Sequence, residues 1–428
     1  MFCKKIIIYF SLSVFFVSNS LAGELRELYQ LALSNDATLK AAQASLNANT
    51  EVVVQSKASF LPSVTLSGEM TDLDSDDGDT NTNGYSLSVN QSLLDTGAWF
   101  TLKKAELLAE QSKTEFKVAE QDLVLRVIVG YLDALRSQAS LEAASARERS
   151  FEYRLEQAIA QFNASLLANS DVQEAQAAFD NATVARLRAS GSVAESIESL
   201  EVMTGELFTV RQQLGSEFPK VVEGDLHNPW LEKALSDNLV LKAARLATMI
   251  AERDVQIAKA EAYPTLSLSM THERERNSRA NRSVTENSVA LSLSVPIYTG
   301  GAVSSRLKES EYRLQEAKQN FEAELRRVAK ETKSLDRGLE IEAKSINALK
   351  QSLKSRRVAL AGFEAGYKAG TRNLGEVLDA EDKLYEASLS YSDARFLYIR
   401  NKIELSAQIG KLDSHAIDEI DGWLGDPP

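Results

Sequence analysis

The sequence predicts a mixed α and β fold, in which a transmembrane β-barrel with four strands per protomer is continued by a long α-helical coiled-coil barrel. Three observations predict it. Four segments alternate apolar and polar residues with a period of two. Two stretches, 63–218 and 297–426, contain no proline, as very long helices require. The whole pattern occurs twice, so the fold is internally duplicated.

The first residues have the pattern of a secretory signal peptide. Lys4 and Lys5 precede the apolar run 6–17, and small residues suited to cleavage follow it. We therefore assign 1–22 as a signal peptide. No later stretch approaches the roughly 20 apolar residues that a transmembrane helix needs. Any membrane-spanning segment of the mature chain is therefore predicted to be β.

The composition argues against several classes of protein. The chain has 48 basic and 61 acidic residues, a formal net charge of −13, which argues against a nucleic-acid partner. The single cysteine, Cys3, lies in the signal peptide, so no thiol is left for disulfides, metals or catalysis. The three histidines lack metal-ligand spacing, and no glycine-rich phosphate loop follows a strand. We expect no enzyme, no cofactor and no metal site.

The internal repeat has a period of just over 200 residues. Residues 39–42 recur as 241–244, and residues 62–67 recur as 264–269. Two copies of one unit, joined by a linker, account for the whole mature chain. The predicted division is a signal peptide at 1–22, a first structural repeat at 23–204, an equatorial linker at 205–230, a second structural repeat at 231–412 and a C-terminal tail at 413–428.

Each repeat contains two segments with strict alternation. Leu266, Leu268 and Met270 form one apolar side, and small hydroxyl residues stand between them. Period two over about ten residues is the signal of a tilted strand that crosses a bilayer. The strands are predicted at about 62–72, 84–94, 264–273 and 287–298, each repeat contributing two.

A soluble sheet would also explain one isolated hairpin of this kind. Aromatic residues at a single end of the strands favour the membrane, since an interfacial girdle places them there. They are Phe60, Trp99, Phe100, Tyr263 and Tyr298. Four strands cannot close a barrel, and lipid does not tolerate open sheet edges, so several copies must share one barrel.

The loops between the strands differ in charge and could pair across the barrel mouth. The acidic loop contains Asp72, Asp74, Asp76, Asp77 and Asp79. The basic loop contains Arg274, Arg276, Arg279 and Arg282. Solvated or paired loops are favoured over a calcium site, because glycine and the final glutamate are not at EF-hand positions.

The remaining sequence predicts helices. Apolar residues after Gly301 step by three, four or seven, which is typical of a coiled-coil seam, and the helix over 302–366 would be about 100 Å long. Shorter helices are predicted before the strands and on the return. They lie at about 24–60, 171–203, 231–261 and 374–410. Two short helices placed end to end would match one long helix and fill a cylinder wall.

The far end of each long helix reverses direction. Gly370 supplies the turn, and Asn373 with Glu376 three residues later has the pattern of a capping box. Ser170 and Gln173 have the same pattern in the first repeat. Asp379 lies one turn beyond Glu376, where capping does not require it.

These turn residues carry a family resemblance. Residues 366–380, followed by 384–387, resemble the second periplasmic turn of the TolC-like outer membrane efflux and type I secretion channel family. Residues 162–173 resemble its first turn, and 295–301 resemble the end of its fourth strand. The resemblance covers both repeats. It implies a homotrimer with twelve strands in the barrel and a tapered helical tunnel.

The same resemblance assigns roles at the tip. Tyr367 and Arg372 match the pair that constricts the tunnel through bonds to the neighbouring turn, where Asp171 stands. Glu376 and Asp379 match two acidic rings at the entrance, with Glu376 in place of the usual aspartate. Ser165 stands where the first turn of the family usually has glycine.

The function implied is an exit duct of a Gram-negative bacterium, set in the lipid of the outer membrane and extending into the periplasm. It would work with a periplasmic adaptor and an inner-membrane ABC or RND-type transporter, in type I protein secretion, multidrug efflux or both. A wide polar lumen leaves no pocket that identifies the cargo. The alternative is a trimeric coiled-coil structural or adhesin protein of the outer membrane, which would need neither the duplication nor the acidic tip.

Overall fold

The computed structural model describes residues 23–74, 80–215, 229–277 and 282–425. The predicted signal peptide lies outside these ranges. So do Asp76, Asp77 and Asp79 of the acidic loop and Arg279 of the basic loop.

The described chain has a mixed α and β fold, which confirms the predicted class. The first unit consists of α1 (Glu24–Asn35), α2 (Ala37–Ala58), β1 (Ser63–Leu73), β2 (Thr80–Leu94), α3 (Thr96–Asn163) and α4 (Asn169–Thr204). The short strand β3 (Gln213–Leu214) follows. The second unit consists of α5 (Trp230–Asp237), α6 (Leu239–Ala260), β4 (Thr265–Asn277), β5 (Arg282–Ser294), α7 (Ala302–Lys368) and α8 (Leu374–Gln408). The chain then forms α9 (His415–Asp421) and β6 (Leu424–Gly425).

The opening helix of each unit is broken into two, whereas the sequence predicted one continuous helix. The breaks fall at Asp36 and Asn238, which are equivalent positions of the repeat. Each side chain accepts a hydrogen bond from the backbone N–H three residues later, Leu39 at 2.7 Å and Leu241 at 3.0 Å. Aspartate and asparagine favour N-cap geometry over the helix interior, so each residue starts a new helix.

The long helices are slightly longer than predicted. Helix α3 has 68 residues and α7 has 67, so each extends about 100 Å. Helix α2 packs on α3, α3 on α6 and α6 on α7, which forms a wall in that order. Further along the long helices, α4 follows α2 and packs on α3. Helix α8 follows α6 and packs on both α7 and α3. The short helices therefore follow one another along the long ones, as predicted.

The four long strands form one antiparallel sheet in the order β1-β2-β4-β5. Its register separates the two predicted faces, because successive side chains of a strand point to opposite sides. One rung consists only of apolar side chains, namely Val64, Val89, Met270 and Val289. The next rung, on the other face, is Thr65, Ser88, Thr271 and Ser288. The oily and hydroxyl faces predicted from the alternation are confirmed.

The apolar face of the sheet is not covered within one chain. Val64 is 65 % exposed and Val289 is 72 % exposed, although both are large hydrophobic residues. Strands β1 and β5 stand at the sheet edges, and no further described strand pairs with them. None of the described helices is both long and apolar enough to span a membrane.

The largest buried cluster surrounds the middle of the long helix α3. Leu25 and Leu28 of α1 are fully buried in it, together with Tyr131 of α3, Ile399 of α8 and Ile417 of α9. Because these residues come from both ends of the described chain, the first and last helices are packed onto the wall through one core.

Polar contacts fasten the linker and the tail to the same place. Asp421 of α9 accepts hydrogen bonds from the backbone N–H groups of Leu25 and Arg26, both at 3.2 Å. Glu24 accepts one from the backbone N–H of Arg211 at 2.9 Å and one from the hydroxyl of Tyr131 at 3.0 Å. Strand β3 pairs with β6. The described part of the linker and the tail therefore lie beside the middle of the helical wall.

Asp36 offers a test of the helix break. Its buried carboxylate caps α2 and binds Arg126 through two hydrogen bonds, at 2.9 and 3.2 Å, and the guanidinium lowers the pKa of Asp36 below its ordinary value of 3.8. Asp36→Ala should lower the free energy of unfolding by about 3 kcal/mol, because it removes both the helix cap and the ion pair. Asp36→Asn should lower it by about half as much, because the amide keeps a capping oxygen.

Thermal unfolding of the purified protein at pH 7 and pH 3 measures both effects. A carboxylate with a lowered pKa stabilises the folded state fully above its unfolded pKa, and this contribution is lost as the pH falls through the folded pKa. The difference between wild type and Asp36→Asn should therefore shrink at pH 3. A difference that grows at low pH would contradict the role given to the charge.

Candidate gate at the tips of the helical hairpins

Each long helix turns back through a residue with positive φ. Gly370 has φ +72° in the second hairpin and Ser165 has φ +58° in the first. The backbone N–H of Gly370 donates to the carbonyl of Tyr367 at 3.0 Å, and that of Ser165 donates to the carbonyl of Phe162 at 2.8 Å. Ser165 thus adopts the left-handed turn for which the family usually has glycine, and the first turn is drawn as tightly as the second.

A capping box begins the returning helix of the second hairpin, as the sequence predicted. The Asn373 side chain accepts a hydrogen bond from the Glu376 N–H at 2.8 Å, and the Glu376 carboxylate accepts one from the Asn373 N–H at 3.0 Å. The corresponding prediction for Ser170 and Gln173 is wrong. Helix α4 begins at Asn169 with Ala168 as its N-cap, and alanine has no side-chain acceptor, so Ser170 falls inside the first turn.

Arg372 contacts its own hairpin. Its Nη1 donates to Glu376 Oε1 at 2.6 Å, and its guanidinium lies over the Phe363 ring at 4.9 Å from the centroid. The Asn373 backbone N–H and the Arg372 guanidinium both favour the charged carboxylate, so the pKa of Glu376 is lowered. Glu376 therefore remains ionised at neutral pH while it caps the helix and pairs with Arg372.

Tyr367 connects the two hairpins. Its hydroxyl donates to Gln161 Oε1 of α3 at 2.7 Å. Within the described part of one chain, neither Tyr367 nor Arg372 bonds to Asp171. The Asp171 carboxylate, in the first turn of α4, has no hydrogen-bond or ion-pair partner among the described residues. The predicted bonds from Tyr367 and Arg372 to Asp171 in the neighbouring turn therefore stay a prediction.

Asp379 lies one turn after Glu376 and is the more accessible of the two acids, with 61 % of its side chain exposed. It forms an ion pair with Lys383, four residues later on the same helix face. The sequence contains this spacing, so Lys383 could have been identified as the counter-charge of the predicted acidic ring.

An ion cluster above the turns joins three of the helices. Arg154 of α3 binds Glu364 of α7 and also Glu381 of α8, the latter at 3.3 Å from Nε to Oε2. Only 13 % of the Arg154 side chain is exposed. Burial lowers the pKa of Arg154, but the two carboxylates raise it by more, so the net effect is a raised pKa. Ser150 also donates to Glu381. No local pattern distinguishes these residues, because their partners are more than 200 positions away in the sequence.

Apolar packing completes the contact between the hairpins. Leu374 and Leu378 of α8 are buried in one cluster with Phe151 of α3 and Ala175 of α4. At Gly375 a side chain would meet the Glu174 carboxylate at 2.5 Å, so the start of α8 lies directly against the start of α4. The two tips of one chain therefore form a single packed unit.

The described residues contain no cluster of histidine, cysteine, aspartate and glutamate that could hold a metal ion. The charged groups around the two turns are carboxylates, a guanidinium and an ammonium group.

Comparisons with known proteins match both halves of the chain. The model of the family described as outer membrane efflux protein matches residues 28–206 and 230–411. The outer membrane protein TolC of Vibrio cholerae is 30 % identical over 412 residues, covering 94 % of each chain. The alkaline protease secretion protein AprF of Pseudomonas aeruginosa is 25 % identical over 92 % of this chain and 85 % of its own length.

A solved structure has the same fold. The outer membrane channel CmeC of Campylobacter jejuni superposes with a TM-score of 0.79 over 94 % of this chain and 90 % of its own, at 14 % identity.

The left-handed turn at Ser165 can be tested by exchanging the two turn residues. Ser165→Gly should raise the midpoint of thermal unfolding of the purified protein, because glycine avoids a strain of about 1 kcal/mol at this φ. Gly370→Ser should lower it by a similar amount, since a Cβ there meets no atom within 4 Å and adds only backbone strain. Ser165→Ala is the control. An equal rise for alanine and glycine would show that strain is not the cause.

Proposed function

The chain belongs to the outer membrane efflux protein family, and we propose that three copies assemble into one continuous duct. The protein is an outer-membrane channel that extends into the periplasm and serves export from the cell. The assembly, the gate and the partners are the proposal. The single observation that carries it is a pair of open edges shared by the sheet and the helical wall.

The open edges of the sheet and of the wall lie on matching sides of the chain. The sheet runs β1-β2-β4-β5 and the wall runs α2-α3-α6-α7, so β1 continues from α2 and β5 leads into α7. A second copy placed against one side would pair β5 with β1 and α7 with α2. Repetition closes a barrel above and a tunnel below, and leaves no unpaired strand in lipid. The number three, with twelve strands, follows from the family resemblance.

The faces of the sheet support this orientation. The exposed apolar face suits the lipid, and the face of serine and threonine side chains suits an aqueous lumen. Trp99 and Tyr263, both half exposed, lie where the strands meet the helices, as an interfacial girdle requires.

The tips of the hairpins are proposed to meet a periplasmic adaptor and an inner-membrane transporter of the ABC or RND type. The names of the matching proteins include both routes of export. AprF is an alkaline protease secretion protein, and the matching family is one of outer membrane efflux proteins. A duct without a transporter has no energy source of its own. Export through this chain therefore needs partners that supply both energy and cargo.

We place the gate at Tyr367, Arg372 and Asp171. In one chain the Arg372 side chain is 49 % exposed, and its pair with Glu376 lies at the helix surface, where such a pair contributes little. It can therefore exchange Glu376 for a carboxylate presented by the next copy. The Asp171 carboxylate, unpartnered among the described residues, is the proposed acceptor. Three such bonds would hold the closed tip.

The proposed selectivity filter consists of Glu376 and Asp379. Three copies would bring six carboxylates around the entrance, which favours cations and allows multivalent cations to block. Glu376 caps its helix and pairs with Arg372, while Asp379 is mostly exposed and pairs only with Lys383. Asp379 is therefore expected to dominate the block.

The gate is tested by the double variant Tyr367→Phe and Arg372→Ser. Loss of both polar groups should raise single-channel conductance in a planar bilayer several-fold, because the tips lose the bonds that hold them closed. Arg356→Ser removes an exposed arginine of the same hairpin and should leave conductance unchanged. Unchanged conductance in the double variant would remove these residues from the gate. Absence of any conductance in the purified wild-type trimer would instead overturn the duct and favour a structural stalk.

The filter is tested by substitutions with opposite effects. Asp379→Ala should abolish block by a trivalent cation such as hexamminecobalt, measured as the concentration that halves the current. Lys383→Ala removes the counter-charge and should strengthen the block. Glu156→Ala, an exposed acid on α3, is the charge-matched control. Equal block in Asp379→Ala and wild type would place the filter elsewhere.

A further inference from the structure

The end of strand β4 farthest from the helices separates charge onto its two faces. Its last residues, His272-Glu273-Arg274-Glu275-Arg276, alternate acid and base with a period of two. Arg274 and Arg276 share the face of Leu268 and Met270, because they lie an even number of residues further along the strand. The glutamates therefore lie on the hydroxyl face, and the arginines lie on the apolar one.

The sheet register places polar partners around these arginines. Arg274 stands opposite Tyr85 of β2, and Arg276 stands between Asn83 of β2 and Ser283 of β5. Together with Gly84, these five residues line a concave site of about 380 Å³. Its polar side chains are all able to donate hydrogen bonds, and no carboxylate lines it.

Neither guanidinium is engaged by the rest of the described chain. Arg274 and Arg276 have no hydrogen-bond or ion-pair partner among the described residues, and both side chains are exposed. The nearby acids on β4 and β5 are on the opposite face. They are Glu273, Glu275 and Glu286, and Glu69 on β1 shares that face. Of the acidic-loop residues, Asp72 and Asp74 are described, and neither forms an ion pair with these arginines. Asp72 lies on the same face of the sheet, two strands away from β4.

The position of the site along the strand matches the edge of the membrane. Arg274 lies 11 residues beyond Tyr263, which stands at the helical end of the strands. At about 3.3 Å per residue and a tilt of about 40°, that distance is roughly 28 Å along the barrel axis. The apolar band of an outer-membrane barrel is about 25 Å high. Arg274 and Arg276 thus fall just outside the band, at the level of the outer-leaflet headgroups.

We propose that Arg274 and Arg276 bind the phosphate groups of a phosphorylated glycolipid in the outer leaflet. Guanidinium groups bind phosphate through paired hydrogen bonds, and Tyr85, Asn83 and Ser283 supply further donors. The site lies on the same face as the apolar, lipid-facing surface, just beyond the hydrogen-bonded pair His272 and Asn287. Its phosphate therefore belongs to a lipid and not to a free anion or to cargo in the lumen. The inference rests on the closed barrel proposed above.

The test measures lipid retention by the purified trimer. Native mass spectrometry counts bound diphosphorylated lipid A after titration in detergent, for wild type and for the double variant Arg274→Gln and Arg276→Gln. Retention should fall by tenfold to about thirtyfold, since each basic side chain at an anionic lipid surface contributes a factor of about five. Arg274→Lys with Arg276→Lys keeps the charge but not the paired geometry, and should retain an intermediate amount.

Arg282→Gln is the matched control, because it removes the same charge from the hydroxyl face of the neighbouring strand β5. It should bind lipid as the wild type does. A dephosphorylated glycolipid should not distinguish the variants, and a millimolar excess of inorganic phosphate should not displace lipid A. Equal retention in wild type and the Gln variant, or displacement by inorganic phosphate, would overturn the proposal.

Loss of lipid binding can be distinguished from failure of the proposed channel. Trimer mass and conductance are measured on the same samples, and the Gln variant should retain both, because its changes lie outside the tunnel and the gate. A conducting trimer that binds lipid without regard to Arg274 and Arg276 overturns only this inference. A wild-type chain that neither assembles nor conducts overturns both.

Discussion

Strands β1 and β5 each present a row of backbone N–H and C=O groups that no other described strand pairs. In hydrocarbon such groups cost several kcal/mol each, so the proposed assembly pairs these two edges with other copies of the chain. The helical wall depends on the same constraint, because α2 and α7 continue the two edge strands. The belt formed by α1, α9 and the β3–β6 pair then joins the two ends of the described chain at the middle of the wall.

The two repeats have the same fold, but residues at equivalent positions make different contacts. Asp36 binds Arg126 of α3, whereas its counterpart Asn238 donates its amide to the carbonyl of Gln408 at the end of α8. At the tips, Asp171 and Glu376 are equivalent as well. Glu376 is held by a cap and by Arg372, while Asp171 lies in a helix that begins without a side-chain cap. The Glu376 carboxylate is therefore held by two partners of its own hairpin, whereas the Asp171 carboxylate has no partner among the described residues.

Charge along the molecule is organised by the periods of its secondary structure. On helix α8 the spacing of four pairs Asp379 with Lys383 on one face of the helix. On strand β4 the spacing of two places glutamates on the hydroxyl face and arginines on the apolar face. Alternating charges that would neutralise each other on a helix are thus kept apart by the sheet. In the assembly proposed above, carboxylates therefore face the lumen at both ends, and Arg274 and Arg276 face the lipid.

The sequence by itself determined the class of fold, the strands, the long helices and the capping box at Asn373, because period, proline and glycine act locally. It also placed Tyr367, Arg372 and Asp379 at a tip. Only the tertiary structure decided that Asp36 and Asn238 break the opening helices, that Ser165 adopts the glycine turn, and that Gln161 receives the Tyr367 hydroxyl. Only the tertiary structure also showed that Arg154 forms ion pairs with both α7 and α8. The contacts of Tyr367 and Arg154 join residues more than 200 positions apart, which no local pattern encodes. At Asp36, Asn238 and Ser165 a local preference or a local strain competes with packing, and only the folded chain shows which of them prevails.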